Sequence, residues 1–342
     1  MAKTVLVIGS SGAMGSYLVR YLSDMGYEIT AVSLTDEKPY SERVHCIKAD
    51  AFDKEWLAEI LKQKFDGIVN FMDYGLRNPF EDYYKLFLDN TDHYIFLSSC
   101  RVYADEELPV KETSPRLLEA SKNTEFLATN QYPLRKARQE DLLLSSDYQN
   151  FTIVRPTTIL SHMQFPLVTL NAYNTVARAK KRKKVVLPIE AKDIPATLSW
   201  AGDVSMMIAK LLFLDSAKRE IYNVNTTESR TWGEIADIYR DICGLEAVWV
   251  DKEDYLKICD AEVTNSSRWW LEYARLFHRI IDNSKVLNAT GIDEKKFLPL
   301  YDALNMLVQE IPEDYDFDAN FVNTLSYGRD VRMDEYLKTH NL

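Results

Sequence analysis

The chain has 342 residues, 46% of them hydrophobic, enough to bury a sizeable core in one two-lobed unit or in two domains. Its 41 Lys and Arg against 52 Asp and Glu leave a formal charge of −11, which argues against broad attraction to nucleic acid or to an anionic membrane. The four cysteines, Cys46, Cys100, Cys243 and Cys259, show neither CxxC spacing nor a histidine-rich neighbourhood, so no metal site and no disulfide framework is expected, and the expected compartment is a reducing cytoplasm.

The first element is "TVLVIGSSGAMGSYLVRYL", residues 4–22, an apolar run that gives way at three glycines to a helix-like pattern. No run of the chain approaches the ~20 apolar residues that span a bilayer, and neither export nor membrane insertion is expected. Gly9, Gly12 and Gly15 stand three apart, with Ser11, Ala13 and Met14 between them. A strand feeding a glycine turn that opens a helix aims free backbone N–H groups and the positive end of the helix dipole above the sheet. A pyrophosphate fits there: glycine permits the tight turn and the close backbone approach, and Gly15 lets the helix press on the strand. A packing turn with no ligand is the alternative. The placement of the glycines within the first strand–turn–helix favours the cradle.

Further β-like runs follow at "EITAVSL", "VHCIKAD", "FDGIVNFM", "HYIFLSS" and "FTIVRP", with helical stretches between them at "KEWLAEILKQK" and "FEDYYKLFLDN". The strands are short, apolar and without alternation, as parallel strands buried on both faces are, and β alternating with α predicts a doubly wound, Rossmann-type α/β sheet over residues 1–160. In such sheets an acidic residue at the end of the second strand grips the adenosine ribose; here Ser33 holds that place, followed by Leu34 and Thr35, so neither a carboxylate nor an arginine selects between NAD and NADP. Asp36 compensates if its loop curls back.

Past residue 160 the pattern turns mixed. Helical stretches such as "GDVSMMIAKLLFL" and "TWGEIADIYRDICG" are separated by single β-like runs, "KVVLPI" and "EIYNVN". Residues 161–312 are expected to form a smaller substrate-binding lobe, interleaved with the first, that covers a cleft. Residues 313–342 are expected as a C-terminal tail, with the acidic "EIPEDYDFD" as a solvated linker and "GRDVRMDEYLKTHNL" docking as a helix or fraying. "RAKKRKK", residues 178–184, has six basic residues in seven and reads as a solvated helix end, with an anion or RNA site as the alternative.

The candidate chemistry lies in "FLSSCRVY" and "YPLRK". Tyr132 and Lys136 are four apart on one helical face. An ammonium beside a phenol favours phenolate and lowers a pKa that starts near ~10 toward the working pH. Tyr132 can then pass a proton to or from an alcohol oxygen while hydride moves to or from a nicotinamide, with Ser99 holding that oxygen.

"GSSGAMG", "KADAFD", "FLSSCRVYAD", "YPLRK", "VRPTTI", "WAGDVSMMI", "EIYNVNTTESRTWGEIA" and "DNSKVLNATGI" stand in the order of the extended short-chain dehydrogenase/reductase family, the nicotinamide-dependent sugar-nucleotide epimerases and dehydratases, which the chain resembles from about residue 3 to 310. The resemblance implies Tyr132 as catalytic acid/base, Lys136 as its electrostatic partner and ribose ligand, and Ser99 as the hydroxyl on the substrate oxygen. It further implies Asp50 and Ala51 at the adenine, Phe71 and Met72 beneath the cofactor, and Pro156 to Thr158 toward the nicotinamide, with Asp203 ordering a junction. Two departures stand out. The segment between "NFM" and "FLSS" lacks the usual small-residue run and resembles a divergent branch that includes the chloroplast stem-loop-binding proteins, among which are RNA binders. The 4,6-dehydratases of the family carry an Asp-Glu pair, which eliminates water, where Cys100 and Arg101 stand. Cys100, Arg101 and Thr158 are therefore candidates for substrate contact, against a packed strand-end cysteine as the plainer role for Cys100. The expected activity is epimerisation of a nucleotide sugar through transient oxidation with bound NAD. Net NADPH-dependent reduction of a keto-sugar or small carbonyl compound, or a non-catalytic RNA-binding role, are the alternatives; a homodimer stays open as the assembly.

Overall fold

The computed structural model describes residues 2–320 and 324–342, and the chain divides between two compact units that it enters alternately. The first holds the residues up to Thr157, then 201–227 and 281–297. Its sheet contains β1 (Thr4–Ile8), β2 (Glu28–Ser33), β3 (Val44–Lys48), β4 (Phe65–Asn70), β5 (Thr91–Leu97), β6 (Phe151–Pro156) and an edge strand, Ile221–Val224. All pairings are parallel, in the order edge strand, β6, β5, β4, β1, β2, β3. Every residue from Val5 to Ile8 is buried, as apolar strands covered on both faces must be. The strand order reverses between β1 and β4, which opens a crevice at the carboxyl ends of those two strands. This is the doubly wound α/β architecture that the βα alternation predicts.

The helices of this unit follow from local signals. In α1 (Gly15–Asp24), Leu18, Val19 and Leu22 fall on one buried stripe. Asp53 caps α2 (Lys54–Leu61) by accepting from the N–H groups of Glu55 and Trp56. The helix expected over 80–90 is split into a single turn, Phe80–Asp82, and α3 (Tyr84–Leu88). Tyr83 interrupts it with φ −118°, because its ring is buried beside Phe52 and Tyr74 and its hydroxyl donates to the Phe52 carbonyl. Two one-turn helices, α4 (Leu117–Ala120) and α5 (Thr124–Leu127), precede α6 (Tyr132–Leu144), whose first turn carries Pro133 where no N–H is required. "GDVSMMIAKLLFL" and "EIYNVN", expected in the second lobe, supply the first unit with the helix Ala201–Leu211 and the seventh strand. Ile221 to Val224 pair with Ile153 to Pro156, the one open edge that β6 offers.

The second unit, residues 158–200, 228–280 and 298–342, has its own core around Leu160, Tyr173, Val186, Trp232 and Leu304. Its helix Trp232–Cys243 starts in a capping box of Thr231 and Glu234 and stops at Gly244 with φ +74°. The residues expected as a tail are part of this core: Phe317, Met333 and Leu337 are buried in it, the last two from the helix Thr324–Thr339.

That docking also accounts for part of the basic run: Lys180, Lys181 and Arg182 are exposed, as a solvated helix end is, but Arg178 is not. Arg178 is fully buried and its guanidinium donates to Asp330 and Asp334 at 2.5 and 2.8 Å, while Lys183 donates to the same two carboxylates. Lys181 pairs with Asp318 at 2.8 Å, and Lys180 donates to the Pro312 carbonyl. Asp330 and Asp334 of the C-terminal helix, with Asp318 of the acidic segment, are the counter-charges of the basic run. No helix among the described residues is long and apolar enough to cross a membrane. Removing one partner of a buried pair leaves an uncompensated charge, so Arg178→Met is expected to lower the unfolding free energy by about 3 kcal/mol, and Arg178→Met with Asp330→Asn by clearly less than the sum of the single changes. Urea unfolding of the four proteins of that cycle measures it; strict additivity contradicts the pairing.

Candidate functional site

The glycine turn is shaped by close contacts and by a backbone conformation that favours glycine. Gly9 has φ +81°, and its N–H and that of Ser10 both donate to the Val32 carbonyl, at 2.9 and 3.1 Å. A Cβ on Gly15 would stand 2.3 Å from the Gly9 carbonyl oxygen, and one on Gly12 would stand 3.2 Å from it. No side chain caps α1, whose cap position is Met14, so its amide end faces the crevice. Ser11, Gly12, Ala13 and Met14 line that end of a cleft; Val32, Ser33 and Leu34 with Ala49 and Ala51 line its flank; Phe71, Met72 and Leu97 line the far side. Backbone amides at one place and apolar walls beside it suit a dinucleotide, whose anionic bridge and flat rings need those two surroundings. Asp50, expected beside Ala51 at an adenine, is not on this lining; its carboxylate accepts from the Phe52 N–H within its own turn. The Ser33 hydroxyl donates to the Thr35 carbonyl, and Asp36 turns to Lys48 on β3 at 2.6 Å.

The cleft leads to the residues of the expected chemistry. Asn70, buried at the end of β4, donates from Nδ2 to the hydroxyls of Tyr74 and Tyr94 and accepts the Met72 N–H on Oδ1. This fixes the course of residues 71–74. From the other side, Gln139 of α6 donates to the Tyr74 carbonyl at 3.0 Å and Arg135 donates to Asp73 at 2.8 Å. β5 ends at Leu97, and Ser99 follows as the cap of a single turn, Cys100–Val102, its hydroxyl accepting from the Arg101 N–H. The Ser99 hydroxyl lies near the Tyr132 phenol and favours its anion. The structure thus brings together Ser99, Tyr132 and Lys136, with the Lys136 ammonium, almost wholly buried, donating to the Leu97 carbonyl at 2.9 Å.

The electrostatics differ from the expectation drawn from spacing. The Tyr132 phenol is pushed up, not down: burial disfavours its anion, the Asp73 carboxylate adds to this, and the Arg101 guanidinium and the Ser99 hydroxyl pull the other way. The Lys136 ammonium is directed elsewhere. Its Nζ is 5.9 Å from the phenol ring centroid and is turned to Leu97 and toward Asp73, 3.7 Å away; burial lowers its own pKa to about 8.

α6 owes its register to a buried carboxylate, Glu140, which receives Arg155 through both Nε and Nη2, at 2.8 and 2.6 Å, together with the Ser98 hydroxyl and Arg116 at 3.1 Å. Of the other candidates, Cys100 is buried in an apolar cluster with Val102, Val110, Ala137 and Ile281. Arg101 stacks its guanidinium 5.0 Å from the Tyr132 ring centroid. Pro156 closes β6, whereas Thr158 belongs to the second unit, where its hydroxyl accepts from Arg275 at 2.7 Å. Sequence reasoning missed Asn70, Asp73, Glu140 and Arg155. The last two had a signal: Glu140 extends the Tyr132, Lys136 spacing by a further four residues along the inward face, and a charge at such a place needs a partner.

The pattern of the NAD-dependent epimerase/dehydratase family matches residues 5–224. Among solved structures, an epimerase from Methanothermobacter thermautotrophicus is similar at 15% identity and a TM-score of 0.68 over 90% of this chain and 91% of that one. A UDP-glucose 4-epimerase of Thermotoga maritima, solved with UDP-glucose, is similar at 16% and 0.66 over 90% and 97%. A dTDP-glucose 4,6-dehydratase of Bacillus anthracis, solved with NAD, is similar at 18% and 0.65 over 90% and 96%. No curated protein matches the chain in sequence.

The glycine contacts give a separable pair of outcomes. Gly12→Val places branched carbons where backbone and an anionic bridge must meet but meets protein only at 3.2 Å, so it is expected to abolish dinucleotide binding with a modest loss of stability. Gly15→Val collides with main chain at 2.3 Å and is expected to displace the turn and lower Tm far more. Calorimetry with NAD and thermal unfolding of both variants check this; normal NAD affinity in Gly12→Val removes the cradle reading.

Proposed function

Because the chain belongs to the NAD-dependent epimerase/dehydratase family, whose pattern covers residues 5–224, we propose that it is an epimerase-type enzyme that transiently oxidises a nucleotide sugar with bound NAD. The observation that carries this is the dinucleotide-shaped cleft that runs from the glycine turn to Leu97, whose carbonyl holds Lys136 and beyond which Ser99 and Tyr132 lie near each other. The UDP-glucose and NAD held by its structural relatives support the two ligand classes.

The glycine turn would hold the pyrophosphate on its amides, Leu34 and Ala51 would flank the adenine side, and Phe71, Met72 and Lys136 would hold the nicotinamide side. When bound, NAD supplies the site with an acceptor that takes a hydride and returns it. Tyr132 takes the proton of the reacting hydroxyl as that carbon is oxidised and gives it back on reduction. Ser99 donates to the same oxygen and fixes its distance to Tyr132. Lys136, anchored on the Leu97 carbonyl, keeps its remaining donors for ribose hydroxyls. Where the family's dehydratases carry an acid pair for removing water, Cys100 lies in an apolar cluster and Arg101 keeps its proton at any working pH, so neither serves as a general acid for elimination.

NAD is proposed over NADP because Asp36, next to the ribose end of the cleft, would repel a 2′-phosphate and neutralises Lys48, the cation paired with Ser33 on the adjacent strand. Asp36→Asn is therefore expected to raise NADP affinity severalfold and leave NAD affinity within about twofold; calorimetry with both cofactors decides it, and an unchanged ratio contradicts the assignment.

Tyr132→Phe retains the ring but not the transferable proton, and is expected to cut turnover ~10²-fold or more with cofactor affinity nearly unchanged. The fate of the cofactor separates this reading from net reduction. Protein denatured directly after purification is expected to release bound NAD, and turnover of a nucleotide sugar to leave absorbance at 340 nm unchanged. Stoichiometric oxidation of added NADPH by a carbonyl substrate, with cofactor-free protein from the column, establishes a reductase instead.

A further inference from the structure

We propose that His93 is a proton-sensitive lock at the amino end of the first sheet: its neutral, Nε2-protonated ring fastens the turn after the helix Ala201–Leu211 to β5 and β6, and a second proton on the ring releases that turn. His93 is the third residue of β5, wholly buried, and pairs in register with Gly67 of β4. The Phe213 N–H donates to its Nδ1 at 2.9 Å. A backbone amide can only donate, so Nδ1 is bare and the proton of the neutral ring sits on Nε2. Nε2 stands 2.8 Å from the Thr152 hydroxyl, whose own proton goes to the Ala217 carbonyl at 2.6 Å. Every bond therefore has one direction, from Phe213 through His93 and Thr152 to Ala217, and the chain begins and ends on the same turn. The helix that this turn closes carries Ser205, whose hydroxyl donates to the Met14 carbonyl at the head of α1, so the lock stands at the carboxyl end of a helix that also supports the glycine turn.

The turn needs such a fastening. Phe213 has φ +68° and Arg219 φ +61°, a left-handed backbone that side chains disfavour. The Phe213 ring fills the space that Gly67 leaves, where a Cβ would stand 2.8 Å from Phe213 Cζ, with Tyr27 edge-on at 5.4 Å and the Lys3 ammonium 3.9 Å from its centroid. Arg219 is held through its guanidinium by the carbonyls of Leu144, Ser146 and Tyr148. The His93 bond holds the Phe213 main chain itself, and a proton on Nδ1 would set N–H against N–H there. Three charged groups act on the ring: Lys218 and Lys3 disfavour its cation, Asp215 favours it, and Asp215 is paired with Lys218 at 2.9 Å. The flanking strands present Gly67 and Thr152, which carry no charge, and Asp66 of β4 is turned to Thr4, whose N–H donates to it at 2.6 Å. Burial is the largest effect, and the ring's pKa is lowered to about 4. Because that lies below the ~6.5 of a solvated imidazole, the lock contributes its full stability above pH ~6.5 and loses it as the pH falls toward 4.

The test uses the full chain without ligand, so its result is independent of whether the protein turns over a nucleotide sugar. In uniformly 15N-labelled protein, amide exchange reads the turn and long-range ring 15N–1H correlation reads the tautomer. At pH 7 the His93 ring, identified by its coupling across the hydrogen bond to the Phe213 amide, is expected to show a bare Nδ1 and a protonated Nε2. Between pH 7 and pH 5 the protection of the Phe213 amide is expected to fall roughly twentyfold, the linkage for a ring whose midpoint rises from about 4 to ~6.5 when the turn opens, and that of Ile95, in the middle of β5, to fall much less. His93→Gln is expected to weaken Phe213 protection at pH 7 and to remove its dependence on pH. Absence of the coupling, a proton on Nδ1 at pH 7, a ring that titrates near 6.5, pH-independent protection of Phe213 in the parent, or an equal loss at Ile95 each overturns the proposal. Should His93→Gln fail to fold, Thr152→Val, which removes both bonds of the hydroxyl at nearly constant shape, decides in its place: it is expected to lower Phe213 protection at pH 7 severalfold, and unchanged protection overturns the lock.

Discussion

The arrangement of the site depends on one buried interaction, the pairing of Glu140 on α6 with Arg155 on β6. Both side chains are almost wholly buried, so each would be costly alone, and the pair is tolerated because four donors reach the carboxylate: Arg155 twice, Ser98 and Arg116. Apolar helix packing tolerates some sliding, but directional bonds to a planar carboxylate are satisfied at one register only. Tyr132, Lys136 and Glu140 are successive residues on one face, so fixing Glu140 fixes where the other two meet the sheet. Ser98, one of the four donors, precedes Ser99. The same contact therefore sets both halves of the Ser99 and Tyr132 pair. Arg155 carries the constraint onward, to the Tyr103 hydroxyl and the Glu112 carbonyl, and Tyr103 donates to Asn223 on the edge strand.

A second constraint acts on the loop after β4. Asn70 uses its amide to hold two buried tyrosine hydroxyls and one backbone N–H, and the rings of Tyr74, Phe80, Tyr83 and Phe87 pack around that point with centroids 5.1–6.5 Å from Tyr74. Bulky aromatic packing replaces the small-residue run whose absence is visible in the sequence. The backbone thereby carries Phe71 and Met72 to the cleft and turns Asp73 toward α6, which places a carboxylate where it acts on both Lys136 and Tyr132.

What the sequence made legible was local. The strand–glycine–helix start, the βα alternation and the Tyr132, Lys136 spacing depend on neighbours within a few residues, and the structure realises each of them. What it hid depends on partners far along the chain. Nothing near Arg178 shows that Asp330 lies against it, 152 residues away, so a buried guanidinium reads as part of a solvated helix end, and the C-terminal segment as a helix that either docks or frays. Spacing placed Lys136 on the face of Tyr132 but not the direction of its ammonium, which the Leu97 carbonyl and Asp73 decide. Likewise, "EIYNVN" is strand-like wherever it lies; only the open edge of β6 assigns it to the first sheet.

These long-range contacts also limit what the site can do. A phenol that must both accept and return a proton works best when neither form is strongly favoured, and burial alone would lock Tyr132 in its neutral form. The Arg101 guanidinium from the turn after β5 works against that burial, whereas the Asp73 carboxylate from the loop after β4 adds to it. On the proposed reading, the Lys136 ammonium, held by the Leu97 carbonyl, serves the dinucleotide's ribose, and the acid/base strength of Tyr132 is set by burial and by all the charges around it. A change of charge at position 73 or 101 therefore shifts the acid/base balance of Tyr132 while the glycine turn, which neither residue helps to build, stays as it is.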